Sequence, residues 1–224
     1  MKKIILTLAI SSFSLGFAQQ KLSINSITGF QSAFDDLKNR MGKSLNFDEV
    51  EGSPYLNKKF TNAKVATNYQ EASVRYNSYS DEIEFQKGDE VQVLPKSPTF
   101  SRVEFTAPAQ VMVLLETSDD LSGYFIELVN GKNSLYKKIK TEFVDASPAT
   151  KGYTDKKPAS FNQLDPVYYI KTEKGFIKKP KHQKDIQNEF PDKQEVLNAF
   201  FKSNKIKFDK EESLIKLVNF LNRS

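Results

Sequence analysis

The chain has 224 residues, a formal net charge of +5, one histidine, no cysteine and no tryptophan. The lack of cysteine excludes disulfides, thiol catalysis and thiolate metal sites, and a net charge of this size is too small to indicate a nucleic-acid partner. The single histidine, His182, leaves little acid–base chemistry near neutral pH. We therefore predict no catalytic residue, no metal site and no cofactor.

Residues 1–18 have the pattern of a secretory signal peptide. Lys2 and Lys3 precede an apolar stretch over residues 4–17, and Ala18 completes a small-residue cleavage signal. The stretch is shorter than the roughly 20 apolar residues of a transmembrane helix. We predict cleavage after Ala18, a periplasmic or secreted protein, and no transmembrane segment once the signal is removed.

Residues 19–45 carry apolar side chains at helical spacing. They are Ile27, Phe30, Phe34, Leu37 and Met41. Spacings of three and four place them on one stripe, which predicts an amphipathic helix packed over a sheet. A partner-binding helix is the alternative, whereas the mixed charges of its polar face do not favour a membrane surface.

Residues 46–180 have the patterns of an antiparallel β domain. Strict alternation over residues 72–87, with a turn at Ser80-Asp81, predicts a hairpin. Asn130-Gly131, between apolar runs at 123–129 and 132–144, predicts a second hairpin with a two-residue turn. The polar, proline-containing stretch 146–166 predicts a long loop.

Residues 181–224 predict a helical hairpin. One apolar face consists of Val196, Leu197, Phe200 and Phe201, and the other of Leu214, Leu217, Val218 and Leu221. The predicted fold class is therefore α+β: a curved antiparallel sheet of about eight to ten strands, with an N-terminal helix and a C-terminal helical hairpin packed on it.

Charged and aromatic side chains on the 72–87 hairpin are the first candidates for a binding site. They are Arg75, Tyr76, Tyr79, Glu82 and Glu84. Two acids on one strand face are also what a two-carboxylate hydrolase requires. Pairing of the acids with Arg75 across a solvent-exposed sheet face explains the same residues without catalysis.

A basic cluster near the start of the tail is the second candidate. It includes Lys178, Lys179 and Lys181, within a carboxy-terminal part (151–224) that has 16 Lys+Arg against 10 Asp+Glu. Such a cluster could bind an anionic surface. The alternative is a solvated edge whose lysines block strand-to-strand aggregation.

Several short motifs follow the signal-like start. They are Gly52-Ser53-Pro54-Tyr55-Leu56, Arg75-Tyr76-Asn77, Asp81-Glu82-Ile83-Glu84 and the closing segment Lys210-Glu211-Glu212-Ser213-Leu214-Ile215-Lys216-Leu217. Together they resemble uncharacterised exported proteins of Bacteroidota, and the resemblance covers most of the chain after the signal-like start. The resemblance implies a Gram-negative envelope location and carries no activity with it.

These observations favour a non-enzymatic envelope protein with a binding or scaffolding role, whose partner is an envelope protein, an anionic surface or an apolar small molecule. Two alternatives stay open. A periplasmic carrier of an apolar ligand predicts a continuous apolar cavity lined by Phe and Tyr in the concavity of the sheet, and fails if the protein's own side chains fill that concavity. A carboxylate-dependent hydrolase predicts two acids facing each other across a cleft.

Overall fold

The computed structural model describes residues 21–33, 50–147 and 157–224. The described chain is mainly β. Its strands are β1 (Glu51–Gly52), β2 (Thr61–Lys64), β3 (Ala72–Asn77), β4 (Glu82–Lys87), β5 (Glu90–Val93), β6 (Arg102–Thr106), β7 (Ala109–Leu115), β8 (Gly123–Val129), β9 (Ser134–Lys138), β10 (Thr141–Val144), β11 (Ser160–Gln163), β12 (Val167–Thr172) and β13 (Gly175–Lys178). Its α-helices are α1 (Gln183–Glu189), α2 (Gln194–Ser203) and α3 (Glu211–Arg223).

Ten strands form one sheet in the order β13-β12-β9-β8-β7-β6-β2-β3-β4-β5. All neighbours in this sheet are antiparallel. A second sheet has three strands in the order β1-β11-β10, with β1 parallel and β10 antiparallel to β11. The predicted antiparallel sheet of eight to ten strands is thus confirmed as a ten-stranded sheet.

The large sheet bends back on itself. In the strand order β3 and β9 are five positions apart, which in a flat sheet would separate them by about 24 Å. Yet Lys138 Nζ lies 2.6 Å from Asp81 Oδ1 in the β3–β4 turn, and the N–H of Thr141 donates to Ser78 O at 3.0 Å. The half of the sheet from β8 to β4 therefore encloses a core of its own, the curled-half core.

The curled-half core contains the buried residues Ile27, Ala63, Val65, Ala72, Val74, Tyr76, Ile83, Phe85, Leu94, Phe100, Val103, Met112, Tyr124, Ile126 and Ile139. The apolar faces of the helices form a second core with strands β8, β9 and β12, the helix-covered core. It contains Val129, Leu135, Tyr168, Ile170, Ile186, Leu197, Phe200, Phe201, Leu214, Leu217, Val218 and Leu221. Leu128 packs against both cores and so joins the two halves.

The C-terminal helices are confirmed, with two refinements. The predicted stripe of α3 is fully buried, whereas Val196 of α2 is 49% exposed and only Leu197, Phe200 and Phe201 of that face are buried. A short helix, α1, precedes the predicted pair. The backbone N–H groups of Lys181 and His182 donate to Asp185 Oδ2 at 2.7 and 2.9 Å, which fixes its first turn.

The predicted N-terminal helix is not supported. In its described part, a 3₁₀ turn at Ile24–Ser26 leads into extended chain, and Phe30 exchanges two backbone hydrogen bonds with Val93 of β5. Pairing with the sheet edge replaces helical hydrogen bonds here, although Ile27 is buried as the apolar pattern predicted. The rest of the predicted helix, and the predicted signal peptide, lie outside the described residues.

The Asn130-Gly131 hairpin is confirmed in its pairing but not in its turn. β8 and β9 pair directly, but Val129 lies opposite Leu135, so the connection is longer than two residues. The loop docks on α3: the N–H of Asn133 donates to Asn222 Oδ1 at 2.8 Å, and a Cβ on Gly131 would lie 2.6 Å from Asn222 Nδ2. Contact with the helix, rather than local turn preference, sets this loop.

Two further predictions need correction. The single strand expected over residues 132–144 breaks after Lys138, because β10 leaves the large sheet and joins the small one. The loop expected over 146–166 contains β11, which pairs with both β1 and β10. The middle of this loop, residues 148–156, lies outside the described chain.

Candidate functional site

Arg75 and Glu84 form a buried ion pair across the β3–β4 hairpin. They are directly opposite in the register, and Arg75 Nη2 lies 2.6 Å from Glu84 Oε2. Asn77 Nδ2 donates to the other carboxylate oxygen at 3.1 Å, and the Glu84 residue is only 1% exposed. The predicted cross-strand pairing is confirmed, but the predicted solvent-exposed face is wrong.

The other contacts of Arg75 also join parts of the fold. Its guanidinium carbon lies 3.7 Å from the ring centroid of Tyr55 and 4.3 Å from that of Phe60. Arg75 Nη2 donates to Tyr55 Oη at 2.7 Å, and Nη1 reaches Lys58 O at 3.5 Å. The segment from Tyr55 to Phe60 is therefore attached to the hairpin through Arg75, which leaves this guanidinium little capacity to bind a ligand.

Glu82 connects the amino-terminal segment, at Ser32 and Ala33, to the same hairpin through hydrogen bonds. Its carboxylate accepts hydrogen bonds from Ser32 Oγ at 2.7 Å, Ser80 Oγ at 2.8 Å and the N–H of Ala33 at 3.3 Å. Both acids of the hydrolase alternative are thus engaged by structural donors. This arrangement does not favour that alternative.

Tyr76 belongs to a polar network centred on Asp81. Tyr76 Oη donates to Asp81 Oδ1 at 2.7 Å, and the ammonium groups of Lys138 and Lys96 lie 2.6 and 2.9 Å from the same carboxylate. Burial, with the charge of Asp81, raises the pKa of Tyr76 well above its ordinary value. Burial lowers the pKa of Lys138, against the opposing effect of Asp81. The network holds the β3–β4 turn against β8 and β9.

The other predicted site residues lie apart from this network or at its edge. Tyr79 packs edge-on against Phe161 of the small sheet, with ring centroids 5.6 Å apart. Lys178 is on β13, at the far end of the strand order from the hairpin, and its ammonium is 2.6 Å from Asp119 Oδ2. Lys179, with a positive φ of 46°, and Lys181 follow it as exposed residues. The hairpin and lysine candidates therefore do not form one site.

A cavity of about 320 Å³ opens inside the curled half and is the strongest candidate site. Binding pockets for small molecules typically measure about 300 to 1,000 Å³. This sheet cavity is lined by Leu56, Asn57, Lys59, Thr61, Arg75, Tyr76, Phe105, Pro108, Gln110, Met112, Ile126, Lys137 and Ile139. Among these, Tyr76, Met112, Ile126 and Ile139 are buried members of the curled-half core and form an apolar wall.

Most of the residues that line the sheet cavity were missed by sequence reasoning. Met112, Ile126 and Ile139 were recognisable as apolar positions of strands, and register places Ile126 opposite Lys137. Sequence alternation assigns such residues to a face of the sheet. It does not reveal that β3 and the segment before β2 lie across from β7–β9, because that depends on how the whole sheet bends.

Within the described part of the chain, no cluster of three or more His, Cys, Asp or Glu side chains could hold a metal ion, and no helix is long and apolar enough to cross a membrane. Comparison with known proteins found no matching family model, no matching curated protein and no matching solved structure. The resemblance to exported Bacteroidota proteins stays a prediction.

Proposed function

We propose that the protein is a binding protein of the bacterial envelope that carries a small molecule in the sheet cavity. The observation that supports this proposal most directly is the cavity of about 320 Å³ lined on one side by Met112, Ile126 and Ile139. The cavity opens to solvent beside the exposed residues Asn57, Lys59 and Pro108, and its volume lies within the range of small-molecule binding pockets. Export to the periplasm, the second part of the proposal, rests on the sequence of residues 1–18.

Among the three functions that the sequence left open, the carrier is the one that the interior of the sheet favours. The carrier hypothesis required that the concavity not be filled by the protein's own side chains. It also predicted a continuous apolar lining of Phe and Tyr. Tyr76 and Phe105 supply two aromatic residues beside the aliphatic wall, whereas Lys59, Arg75 and Lys137 interrupt the apolar lining. A scaffolding role has no comparable feature in its support.

Intact mass of the full-length gene product, purified gently from its native envelope, tests the proposal. Under native conditions we expect extra mass on the chain that disappears on denaturation, because a ligand held by burial is released when the sheet unfolds. The denatured mass also reports whether cleavage occurs after Ala18. If the native mass equals the denatured mass under all purification conditions, including the mildest, the carrier function is contradicted.

A pair of variants links the extra mass to the cavity. Ile126→Trp fills the space, so the extra mass should be lost. Val91→Trp adds the same side chain outside the cavity, at an edge-strand position that is 39% exposed. This variant should retain the extra mass. Met112→Phe is a milder filling variant, to be used if Ile126→Trp does not fold. Retention of the extra mass in both filled variants would place the ligand elsewhere.

A further inference from the structure

The charges around the sheet cavity have one sign. Lys59, Arg75 and Lys137 line it, and no Asp or Glu does. Charges of one sign at the wall of a low-dielectric cleft raise the local concentration of ligands of the opposite sign. The next question is which of the three cations is available to a ligand.

Two of the three cations already have carboxylate partners. Arg75 is held by Glu84 at 2.6 Å, as described above. Lys137 Nζ lies 2.7 Å from Glu211 Oε2 at the start of α3, and Glu211 also accepts a hydrogen bond from Tyr168 Oη at 3.1 Å. Burial and the charge of Glu211 raise the pKa of Tyr168 to about 12, so this phenol stays protonated and neutral. These two cations are therefore largely compensated.

Lys59 is the cation without a partner. Its ammonium forms no ion pair or hydrogen bond with any residue in the described ranges 21–33, 50–147 and 157–224. Asn57, which also lines the cavity, uses Oδ1 to accept the N–H of Lys59 at 3.0 Å, and this leaves its NH₂ group to donate. A cation without a partner among the described residues and an amide donor thus lie at the wall of a cavity that also has the apolar side chains of Met112, Ile126 and Ile139 in its lining.

We infer that the ligand of the sheet cavity is a small amphipathic anion. A carboxylate, or a similar singly charged head group, lies at Lys59 and Asn57, and an apolar body lies against Met112, Ile126 and Ile139. The cavity of about 320 Å³ accommodates about ten water-sized groups, which limits the body to a short chain or a single ring. This inference rests on the proposed carrier function and adds the sign of the ligand's charge.

Three probes of equal chain length separate charge from burial: octanoate, octylammonium and octanol. Calorimetric titration of each into the full-length protein, at neutral pH and low salt, should show octanoate binding about five- to thirtyfold more tightly than octylammonium, because the same charges attract one head group and repel the other. Salt should reduce this ratio, since Lys59 is solvent-exposed.

Adjacent lysines provide a matched pair of variants. Lys59→Gln should reduce the ratio of octanoate to octylammonium affinity by about two- to fivefold, the effect of one exposed charge. Lys58→Gln removes the same charge from the neighbouring residue, which is also exposed but lines the cleft beside Tyr55 and Phe161 instead. This control should leave the ratio within about twofold of the wild-type value.

The outcomes distinguish the two proposals. If octanol binds while octanoate and octylammonium bind equally, the anionic ligand is ruled out and the carrier function stands. An equal loss of selectivity in Lys58→Gln and Lys59→Gln would also overturn the assignment of the head group to Lys59. If none of the three probes binds, both the anionic ligand and the carriage of short amphipathic molecules in the sheet cavity fail.

Discussion

The two halves of the ten-stranded sheet bury their apolar faces by different means. In one half, helices cover the sheet, and the contact is filled by side chains such as Leu135, Ile170, Leu214, Leu217 and Val218, all 0% exposed. In the other half the sheet covers itself by bending, and the sheet cavity of about 320 Å³ remains between its walls. Fully buried side chains such as Val74, Ile83 and Phe85 pack this half too, so the two halves differ in the partly open cavity and not in the depth of burial.

The two halves differ because a helix can adjust its position on a sheet more freely than one part of a bent sheet can adjust to another. A helix presents long side chains and can shift along the sheet until they interdigitate. The walls of a bent sheet are held at a distance by strand connectivity and by fixed contacts such as the ion pair between Asp81 and Lys138. Beside β3 the regular strand β2 is only four residues long, and the irregular segment before it borders the cavity. A bent sheet with a short strand is therefore suited to keep a space open.

The largest expected effect is on the contact that holds the bend. Asp81→Asn keeps the shape of the side chain and tolerates the positive φ of 57°. It leaves the charge of Lys138 buried without its partner, since that residue is 4% exposed. We expect the free energy of unfolding, measured by urea denaturation, to fall by about 3–5 kcal/mol.

The partners of Asp81 provide the controls. Lys96→Gln removes the cation of the network whose side chain is 42% exposed, and should cost less than about 1 kcal/mol. Adding Lys138→Met to Asp81→Asn should recover part of the loss, because it removes the uncompensated charge. If Asp81→Asn has no larger effect than Lys96→Gln, the network does not hold the bend.

The filled half should be sensitive to loss of volume. Leu217→Ala opens a space beneath α3, where Leu217 is 0% exposed, and should cost about 2–5 kcal/mol of unfolding free energy. Val196→Ala is the matched change in α2 at a side chain that is 49% exposed, and should change stability by less than about 0.5 kcal/mol. Similar losses in the two variants would mean that the helices do not form a packed layer on the sheet.

Added volume should separate the two halves. Leu214→Phe places extra atoms in the filled core and should cost about 1–3 kcal/mol. Ile126→Phe adds a ring beside the sheet cavity, which has room for it, so the loss should be under about 1 kcal/mol. Equal destabilisation in urea would contradict the difference in packing between the two halves.

The smallest expected effect depends on pH. Burial raises the pKa of Asp119, but hydrogen bonds from Lys178, Tyr169 and Thr117 outweigh it and hold that pKa well below its ordinary value of 3.8. Because the folded-state pKa is the lower one, this carboxylate stabilises the fold above pH 3.8, and the stabilisation is lost as the pH falls further. Asp119→Asn should therefore cost about 1–2 kcal/mol at neutral pH and progressively less in acid.

Unfolding free energies measured between pH 7 and pH 2 test this dependence. Tyr169→Phe, which removes one of the donors to Asp119, should show a weaker form of the same trend. A difference between Asp119→Asn and the wild type that stays constant across this range would show that the charge of Asp119 is not the stabilising feature.

Local patterns predicted much of the fold. The 72–87 hairpin has its turn where Ser80-Asp81 placed it, and the pairing of Arg75 with Glu84 follows from alternation alone. The stripe of α3 is buried because its spacing gives the helix one continuous apolar face. Each of these features depends on residues that are close together in the sequence.

Features set by distant contacts were not predictable. Helical spacing around Ile27 and Phe30 did not produce a helix, because the chain there bonds to the edge of β5. In place of a two-residue turn at Asn130-Gly131, the structure has a longer loop that contacts Asn222. Strand β10 belongs to the small sheet, although β9, which precedes it, belongs to the large one. The sheet cavity belongs to this second group, since its walls come from segments far apart in the chain.

The most direct test of the carrier function is a comparison of methyl NMR shifts in the two cores during an octanoate titration. We expect saturable shifts at the methyl groups of Met112, Ile126 and Ile139 in the sheet cavity, and none at Leu197 and Leu217 under the helices. Two results would contradict binding of octanoate in the bent half of the sheet. Either no methyl group shifts up to saturating octanoate, or the shifts are confined to the helix-covered core.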